Sequence, residues 1–167
     1  MKTILVTGGS GLVGRRLTEM LREQGYRVLW LSRDRDLRAD PPHYSWDYRD
    51  GTIDREAVEQ ADAIIHLAGA NLGEKRWSDA RKEEIVASRV ETSHLLFDIL
   101  QETGHQIEAF VSASAIGYYG TAVTDKVFME EEKPLGSDFL SETCRRWEEA
   151  ASRFSDLPGV RTVALRT

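Results

Sequence analysis

Three glycines at three-residue spacing stand between an apolar segment and an amphipathic segment near the start of the chain. Gly8, Gly11 and Gly14 follow the apolar and β-branched run 3–6 and open a helical pattern that Gly25 closes. This order predicts a strand, a tight turn and a helix whose first N–H groups point back at the turn. Gly8 would permit the turn, Gly11 the close approach of a phosphate, and Gly14 the contact between helix and strand. The segment therefore predicts a pyrophosphate-binding turn, with a merely tight strand-to-helix turn as the alternative.

Strand and helix patterns alternate along the rest of the 167 residues. Nearly continuous apolar runs indicate strands that are covered on both faces, as in a parallel sheet. The predicted strands are 3–6, 28–31, 43–46, 63–67, 109–112 and 161–166, and the predicted helices are 11–24, 54–60, 78–103 and 139–154. Ser78 and Gly104 are the expected caps of the longest helix. The alternation predicts an α/β fold with a doubly wound parallel sheet in strand order 3-2-1-4-5-6, and ligand at the carboxyl ends of strands 1 and 4.

Composition narrows the class of protein. With 41% hydrophobic and 30% charged residues, the chain is expected to be globular rather than disordered, collagen-like or a coiled coil. A net charge of −6 argues against general binding to nucleic acid or anionic lipid. A single cysteine and four scattered histidines predict neither a disulfide nor a metal site. Neither a signal peptide nor a membrane span is evident, so we expect a cytoplasmic protein with a small-molecule substrate.

The end of the second predicted strand bears on the choice of dinucleotide. A carboxylate at this point accepts from a ribose 2′-hydroxyl, whereas an arginine favours a 2′-phosphate. Here Ser32 takes the place of the carboxylate, Arg33 follows it, and Asp34 comes too late to face the ribose. The sequence therefore favours NADP(H) over NAD(H), with a solvated loop role for Arg33 as the alternative. Asp47, just past the third strand, is placed to accept from the adenine amino group, although turn chemistry explains it equally well.

Several segments, in this order, resemble the extended and atypical short-chain dehydrogenase/reductases, and more narrowly the nucleoside-diphosphate-sugar epimerase-like proteins. The segments are TGGSGLVG, SRD, DAIIHLAGAN, RWSDARKEEIVASRVETSHLL, SASAIGYYG, WEEAA and VRTVALRT. The resemblance covers the whole chain. It implies an NAD(P)-binding Rossmann domain over residues 1–167 and a longer protein whose C-terminal substrate lobe is absent from this sequence.

The resemblance also implies roles for individual residues along the dinucleotide. It assigns Gly8, Ser10, Gly11, Leu12 and Val13 to the pyrophosphate, Ser32 and Arg33 to the 2′-phosphate, and Leu67, Ala68 and Gly69 to the ribose. It further implies that Ser114, after the fifth strand, orients the substrate, with Ser112, facing the cofactor, as the weaker candidate. The alternative for both serines is that they cap a turn.

The tyrosine–lysine pair of related enzymes has no counterpart on the last predicted helix. Aligning the helix on Glu148 puts Leu140 and Cys144 at the two positions, and a shift of one residue puts Phe139 and Thr143 there. Neither pair can relay a proton. The nearest phenols are Tyr118 and Tyr119, and either is a candidate to swing toward Ser114, although aromatic packing is an equally ordinary role.

Four more residues are candidates for the substrate side of the site: Arg76, Trp77, Ser88 and Arg89. Arg89 lies among apparently half-buried neighbours, where an arginine usually meets a carboxylate or a phosphate. An internal salt bridge with Glu84 or Glu91 is the preferred interpretation. His66 is expected to be a hydrogen-bonded core histidine and Cys144 a small core residue.

Three functions remain open on this sequence. The first is an NADP(H)-dependent oxidoreductase or epimerase of the short-chain type, acting on a carbonyl or carbinol substrate such as a sugar nucleotide. The second is a non-catalytic NADP(H)-binding or sensing module, which the missing tyrosine–lysine pair makes credible. The third is an NAD-linked enzyme in which Asp34 turns inward. An uncovered final strand would also invite pairing with a second copy, so a homo-oligomer is a further expectation.

Overall fold

The computed structural model describes residues 1–121, 123, 125–132 and 136–167. Its strands are β1 (Thr3–Thr7), β2 (Arg27–Ser32), β3 (His43–Asp47), β4 (Thr52–Ile53), β5 (Ala63–His66), β6 (Ala109–Ser114) and β7 (Arg161–Arg166). Its α-helices are α1 (Leu12–Glu23), α2 (Arg55–Glu59), α3 (Asp79–Thr103) and α4 (Phe139–Ser152). Single 3-10 turns follow β6 (Ile116–Tyr119) and α4 (Arg153–Asp156).

The strands form one sheet in the order β4-β3-β2-β1-β5-β6-β7. All neighbours pair in parallel except β3 and β4, which pair antiparallel through Trp46 with Ile53 and Asp47 with Thr52. The six parallel strands follow the predicted order, so the Rossmann-type α/β architecture is confirmed. The short β4 was not predicted, although Asp50-Gly51 is a typical hairpin turn and Gly51 has a φ of 64°.

Side chains alternate between two packed layers because successive strand residues point to opposite faces. Leu5, Leu29, Ile64 and Phe110 are fully buried on the face that receives the second, third and fourth helices. They lie side by side, since Leu5 pairs with both Leu29 and Ile64, and Ile64 pairs with Phe110. The opposite face packs Ile4, Val6 and Val28 under Leu21 of α1. Helices on both faces explain why the strand runs are apolar throughout.

The third helix confirms its predicted caps. The Ser78 side chain accepts from the backbone N–H of Arg81, and Gly104 closes the helix with a φ of 67°. Its aliphatic residues from the second turn onward are at least partly buried, among them Ile85, Val90, Leu95, Leu96, Ile99 and Leu100, and Arg81, Ser93 and Phe97 are buried as well. This helix therefore packs against neighbours over more of its circumference than an amphipathic surface helix does.

Two predicted boundaries were wrong near the end of the chain. The last α-helix stops at Ser152, because Arg153–Asp156 tighten into a 3-10 turn that buries Phe154 against Phe110, with ring centroids 3.5 Å apart. Strand β6, the fifth of the predicted strands, runs to Ser114 rather than to Ser112. Ser114 is therefore its last residue and does not follow it. Pairing of Ser114 with Arg166 on β7 extends the strand.

Candidate functional site

A cavity of about 620 Å³ opens at the carboxyl ends of the central strands. The predicted cofactor residues that line it are Gly8, Ser10, Ser32, Arg33, Asp47, Ala68 and Gly69. Those that are not among its lining residues are Gly11, Leu12, Val13, Gly14, Leu67 and Ser112. Leu12 and Val13 are instead exposed on the first turn of α1, 91% and 64% respectively, beside the glycine turn.

The glycine turn has no room for side chains at three of its positions. A Cβ atom on Gly8, whose φ is 68°, would lie 2.9 Å from the Leu67 carbonyl carbon. A Cβ on Gly14 would lie 2.4 Å from the Gly8 oxygen, so Gly14 packs against the turn and not, as predicted, against the strand. A Cβ on Gly9, a position not singled out from the sequence, would meet the Trp30 ring at 2.4 Å. The turn is therefore flattened between α1, the second strand and residues 67–68.

The start of α1 is left without a side-chain cap. Gly11 occupies the N-cap and makes no side-chain hydrogen bond, and no acidic residue lies in the first turn. The other three α-helices are capped by Asp54, Ser78 and Asp138. An α-helix has unpaired N–H groups and a partial positive charge at this end. Together with the glycine turn, in which Ser10 carries the one side chain between Gly8 and Gly11, the uncapped helix end is suited to bind the pyrophosphate of a dinucleotide.

The far wall of the cavity carries charged side chains from the loops after β2 and β3. Arg33 is exposed, and among the described residues it has no ion pair or hydrogen bond. The Ser32 hydroxyl accepts weakly from the Asp34 backbone N–H at 3.4 Å. The Asp47 carboxylate accepts from the Arg49 backbone N–H at 2.8 Å, as in an ordinary Asx turn, and also lines the cavity.

A chain of hydrogen bonds through His66 holds the cavity wall at residues 67–68. Thr7 Oγ1 accepts from the Leu67 and Ala68 backbone N–H groups, both at 3.1 Å, and lies 2.8 Å from His66 Nδ1. The Thr7 proton must then go to Nδ1, which places the imidazole proton on Nε2, 3.2 Å from Thr92 Oγ1. Thr92 in turn donates to the Ser88 carbonyl at 2.8 Å. His66 is thus the hydrogen-bonded core histidine that was predicted, and burial lowers its pKa to about 4.

Side chains of α3 hold the next part of the same wall. Ser88 Oγ accepts from the Ala70 N–H at 2.9 Å, and Arg89 donates to the Ala70 carbonyl at 3.2 Å. Arg81 donates to the Asn71 carbonyl at 2.6 Å and forms an ion pair with Glu84. The predicted salt bridge of Arg89 with Glu84 or Glu91 is therefore wrong within the described part of the chain, since Glu84 bonds Arg81.

Ser114 lies in a buried polar network at the end of β6. Its hydroxyl donates to Glu148 Oε1 at 2.6 Å, and Arg166 forms a two-pronged pair with the same carboxylate at 2.8 Å on each oxygen. Glu148 raises the pKa of Arg166 above its usual value through these bonds. Because its proton is committed to Glu148, Ser114 has only lone pairs to offer, and it can accept from a hydroxyl but not donate to a carbonyl. The Ser112 hydroxyl, fully buried, donates to the Ala113 carbonyl.

The two candidate phenols flank Arg166. The Tyr119 oxygen accepts from Arg166 Nη1 at 2.7 Å and donates to the Met129 carbonyl at 3.2 Å. The Tyr118 ring lies 3.7 Å from the Arg166 guanidinium carbon. Glu148 and Arg166 were not predicted as site residues. The sequence did carry a signal for this pair. Glu148 is a charged residue on the face of α4 that packs on the sheet, and Arg166 is a charged residue at the end of a strand.

The remaining substrate-side candidates lie near the start of α3. Trp77 donates to the Leu72 carbonyl at 2.8 Å and packs edge-on against Phe139, while Arg76 is exposed. Cys144 is buried, as predicted. No cluster of metal-ligating side chains occurs within the described ranges. None of the helices described here has both the length and the apolar character to cross a membrane.

Comparison with known proteins relates the sequence of the chain to one protein family. A family model described as the NAD dependent epimerase/dehydratase family matches residues 4–143. An epimerase family protein of Mycobacterium leprae is 33% identical over 164 residues, which are 98% of this chain and 51% of that protein. The chain thus spans about half the length of that curated relative.

Two solved structures have the same fold and contain a dinucleotide. The human epimerase family protein SDR39U1, crystallised with NADPH, is 29% identical with a TM-score of 0.79, over 98% of this chain and 52% of that one. MoeE5 in complex with UDP-glucose and NAD is 25% identical with a TM-score of 0.78, over 98% of this chain and 53% of that one. The first neighbour holds NADPH and the second holds NAD.

Proposed function

The chain belongs to the NAD-dependent epimerase/dehydratase family, and from this premise we propose that it is an NADP(H)-dependent oxidoreductase or epimerase. Its substrate would carry a carbonyl or carbinol group, as a sugar nucleotide does. The observation that carries the proposal is the cavity itself, which is lined both by the glycine turn and by Arg33, a cation with no ion pair among the described residues. The chain spans about half of the length of the Mycobacterium leprae relative, and we propose that residues 1–167 form the dinucleotide-binding domain.

The preference for NADP(H) depends on Arg33. Its guanidinium has no ion pair among the residues described and lines the cavity, so its charge is available to a 2′-phosphate. No carboxylate takes the position at the end of β2 that a ribose 2′-hydroxyl would need, because that residue is Ser32. Asp34 also lines the cavity, which keeps an NAD-linked enzyme as the alternative cofactor choice.

Ser114, Tyr118 and Tyr119 are the residues we propose for the chemistry. A nicotinamide dinucleotide supplies hydride transfer when it is bound. Ser114 would orient a substrate hydroxyl by accepting its hydrogen bond, with Glu148 holding the serine in place. The Tyr119 oxygen accepts from the same Arg166 that pairs with Glu148, so one arginine links this phenol to the partner of Ser114. The accepting Ser114 supports a carbinol substrate, because a carbinol hydroxyl donates the hydrogen bond that Ser114 accepts.

A second function is favoured by the composition of α4. The positions that would hold a tyrosine and a lysine are taken by Leu140 and Cys144 when the helix is aligned on Glu148, or by Phe139 and Thr143 after a shift of one residue. Neither pair can relay a proton. A protein that binds NADP(H) as a structural or sensing ligand would have the same cavity and the same Arg33. The two functions differ in turnover alone, because both predict tight binding of the dinucleotide.

Parallel titrations with NADPH and NADH, followed by the fluorescence of the reduced nicotinamide, test the proposal. We expect NADPH to bind more tightly, and Arg33→Ala to weaken NADPH about tenfold or more while NADH changes little. Arg38→Ala is the matched control, because its side chain is 98% exposed. Equal loss for both nucleotides would contradict the 2′-phosphate assignment, and binding of neither would contradict the proposed function. Formation of NADPH when the chain is mixed with NADP⁺ and a sugar nucleotide, whose carbinol gives up the hydride, then separates the enzyme from the binding module.

A further inference from the structure

Arg89 is a half-buried cation whose charge is not neutralised by any carboxylate in the described residues. Its guanidinium donates to the Ile85 carbonyl at 2.9 Å and to the Ala70 carbonyl at 3.2 and 3.3 Å. It also lies over the Trp147 ring, with its central carbon 5.1 Å from the ring centroid. Carbonyls and an aromatic face offer only partial negative charge, so a desolvated cation here remains electrostatically unsatisfied.

The position of this cation is fixed by close contacts with the cavity wall. A Cβ atom on Gly69 would lie 2.8 Å from the guanidinium carbon of Arg89. Two residues earlier, the same wall abuts the glycine turn, since a Cβ on Gly8 would lie 2.9 Å from Leu67. Residues 67–69 therefore run from the proposed pyrophosphate receptor at one end to Arg89 at the other.

On its other side Arg89 faces the segment that follows β6. Its charge interacts with the thiol of Cys144, where it opposes the rise in the thiol pKa that burial and Glu148 cause. The sulfur lies 3.6 Å from where a Cβ on Gly117 would be, three residues after Ser114. The cation thus stands between the dinucleotide wall and the loop of the proposed catalytic serine.

We propose that Arg89 binds the half of the dinucleotide that lies beyond the pyrophosphate, by donating to the hydroxyl oxygens of its ribose. The inference deepens the proposed function and rests on it. A guanidinium has five N–H donors, and the bonds to Ala70 and Ile85 use only its two terminal nitrogens, which leaves Nε–H for a ligand. In this proposal Arg89, which lies on α3, binds the nicotinamide half of the dinucleotide.

The test compares two ligands that share one half. NADPH carries both halves of the dinucleotide, whereas adenosine 2′,5′-bisphosphate carries the adenosine half alone. Arg89→Gln keeps an N–H donor for the Ala70 carbonyl and removes the charge. We expect it to weaken NADPH about tenfold and the bisphosphate less than about twofold. Arg89→Lys restores the charge and should recover most of the NADPH affinity.

Arg38→Gln serves as the exposed control, and circular dichroism with urea unfolding checks that every variant is folded. Unchanged NADPH affinity in folded Arg89→Gln would overturn the inference while leaving the proposed function intact. Equal weakening of both ligands would also overturn it, because it would mean that Arg89 only shapes residues 67–71. Failure of the native chain to bind NADPH, with or without binding of the bisphosphate, would instead count against the proposed function.

Discussion

His66 is the residue whose ionisation has the largest expected effect on folding. The imidazole is fully buried, with Thr7 donating to Nδ1 and Thr92 accepting from Nε2–H, so the ring is held neutral. Burial lowers its pKa to about 4, against about 6.5 in an unfolded chain. A protonated ring would have to place a second N–H against a hydroxyl whose lone pairs already serve Leu67 and Ala68.

The sign of the pH effect follows from this depressed pKa. Below about pH 6.5 His66 binds a proton in the unfolded state but not in the folded state. The free energy of unfolding therefore falls as pH falls. From about pH 7.5 to pH 5 we expect His66 to remove about 2 kcal/mol from the free energy of unfolding. His66→Gln, which cannot titrate, should show a smaller loss over the same range in urea unfolding. Parallel pH profiles for the two proteins would contradict the assignment.

At the scale of the element, α4 depends on a buried ion pair that it makes with the last strand. Glu148 and Arg166 are only 15% and 17% exposed, and the carboxylate also accepts from Ser114. Breaking such a pair leaves a desolvated charge behind, which costs more than the pair itself contributes. The same pair orients the catalytic serine that we propose, so stability and site geometry are coupled in this helix.

Glu148→Gln should destabilise the chain by about 2 kcal/mol, because Arg166 loses its charged acceptor while the shape is kept. Glu149→Gln is the matched control on the same helix. Its partner Arg145 and Glu149 itself are 41% and 62% exposed, so that change should cost less than about 1 kcal/mol. Urea unfolding measures both. Equal costs for the two variants would show that the buried pair is no stronger than a surface one.

For the whole molecule, the edges of the sheet are the feature that bears on assembly. One edge is the two-residue β4, and the other is β7, which pairs with β6 on one side only. Two of its apolar side chains, Val163 and Leu165, are 43% and 49% exposed. A long parallel edge with apolar side chains is a template for pairing with another strand.

We propose that this chain self-associates through β7. Light scattering across a concentration series should give a mass above that of the 18.9 kDa monomer. Val163→Lys should shift the association toward monomer, because charge on an edge strand opposes strand addition. Met20→Lys on α1 is the control, since Met20 is 48% exposed and lies away from the edge. A native chain that stays monomeric at every concentration would remove the proposal.

The order of the sheet and the place of the ligand were predictable because they follow from local patterns. An apolar, β-branched run of four to six residues between turn residues favours a strand, and right-handed crossovers leave few ways to arrange such strands. The glycine turn was predictable for the same reason. Gly8 stands between a strand pattern and a helix pattern, and the tight turn between them needs the positive φ that glycine adopts readily. The ends of α3 were predictable because a serine side chain caps a helix start and a glycine adopts the positive φ that ends a helix, as Ser78 and Gly104 do.

The partners of polar side chains were decided only when distant segments met. Thr7 meets His66 across 59 positions, Ser114 meets Glu148 across 34, and Arg89 meets Gly69 instead of the acids on its own helix. The sequence offers each of these residues several possible hydrogen-bond or ion-pair partners. Packing selects one partner, because burial makes every unsatisfied polar group costly while leaving room for few neighbours. Local sequence thus sets the elements and the turn, and tertiary packing sets which side chains share a proton or a charge.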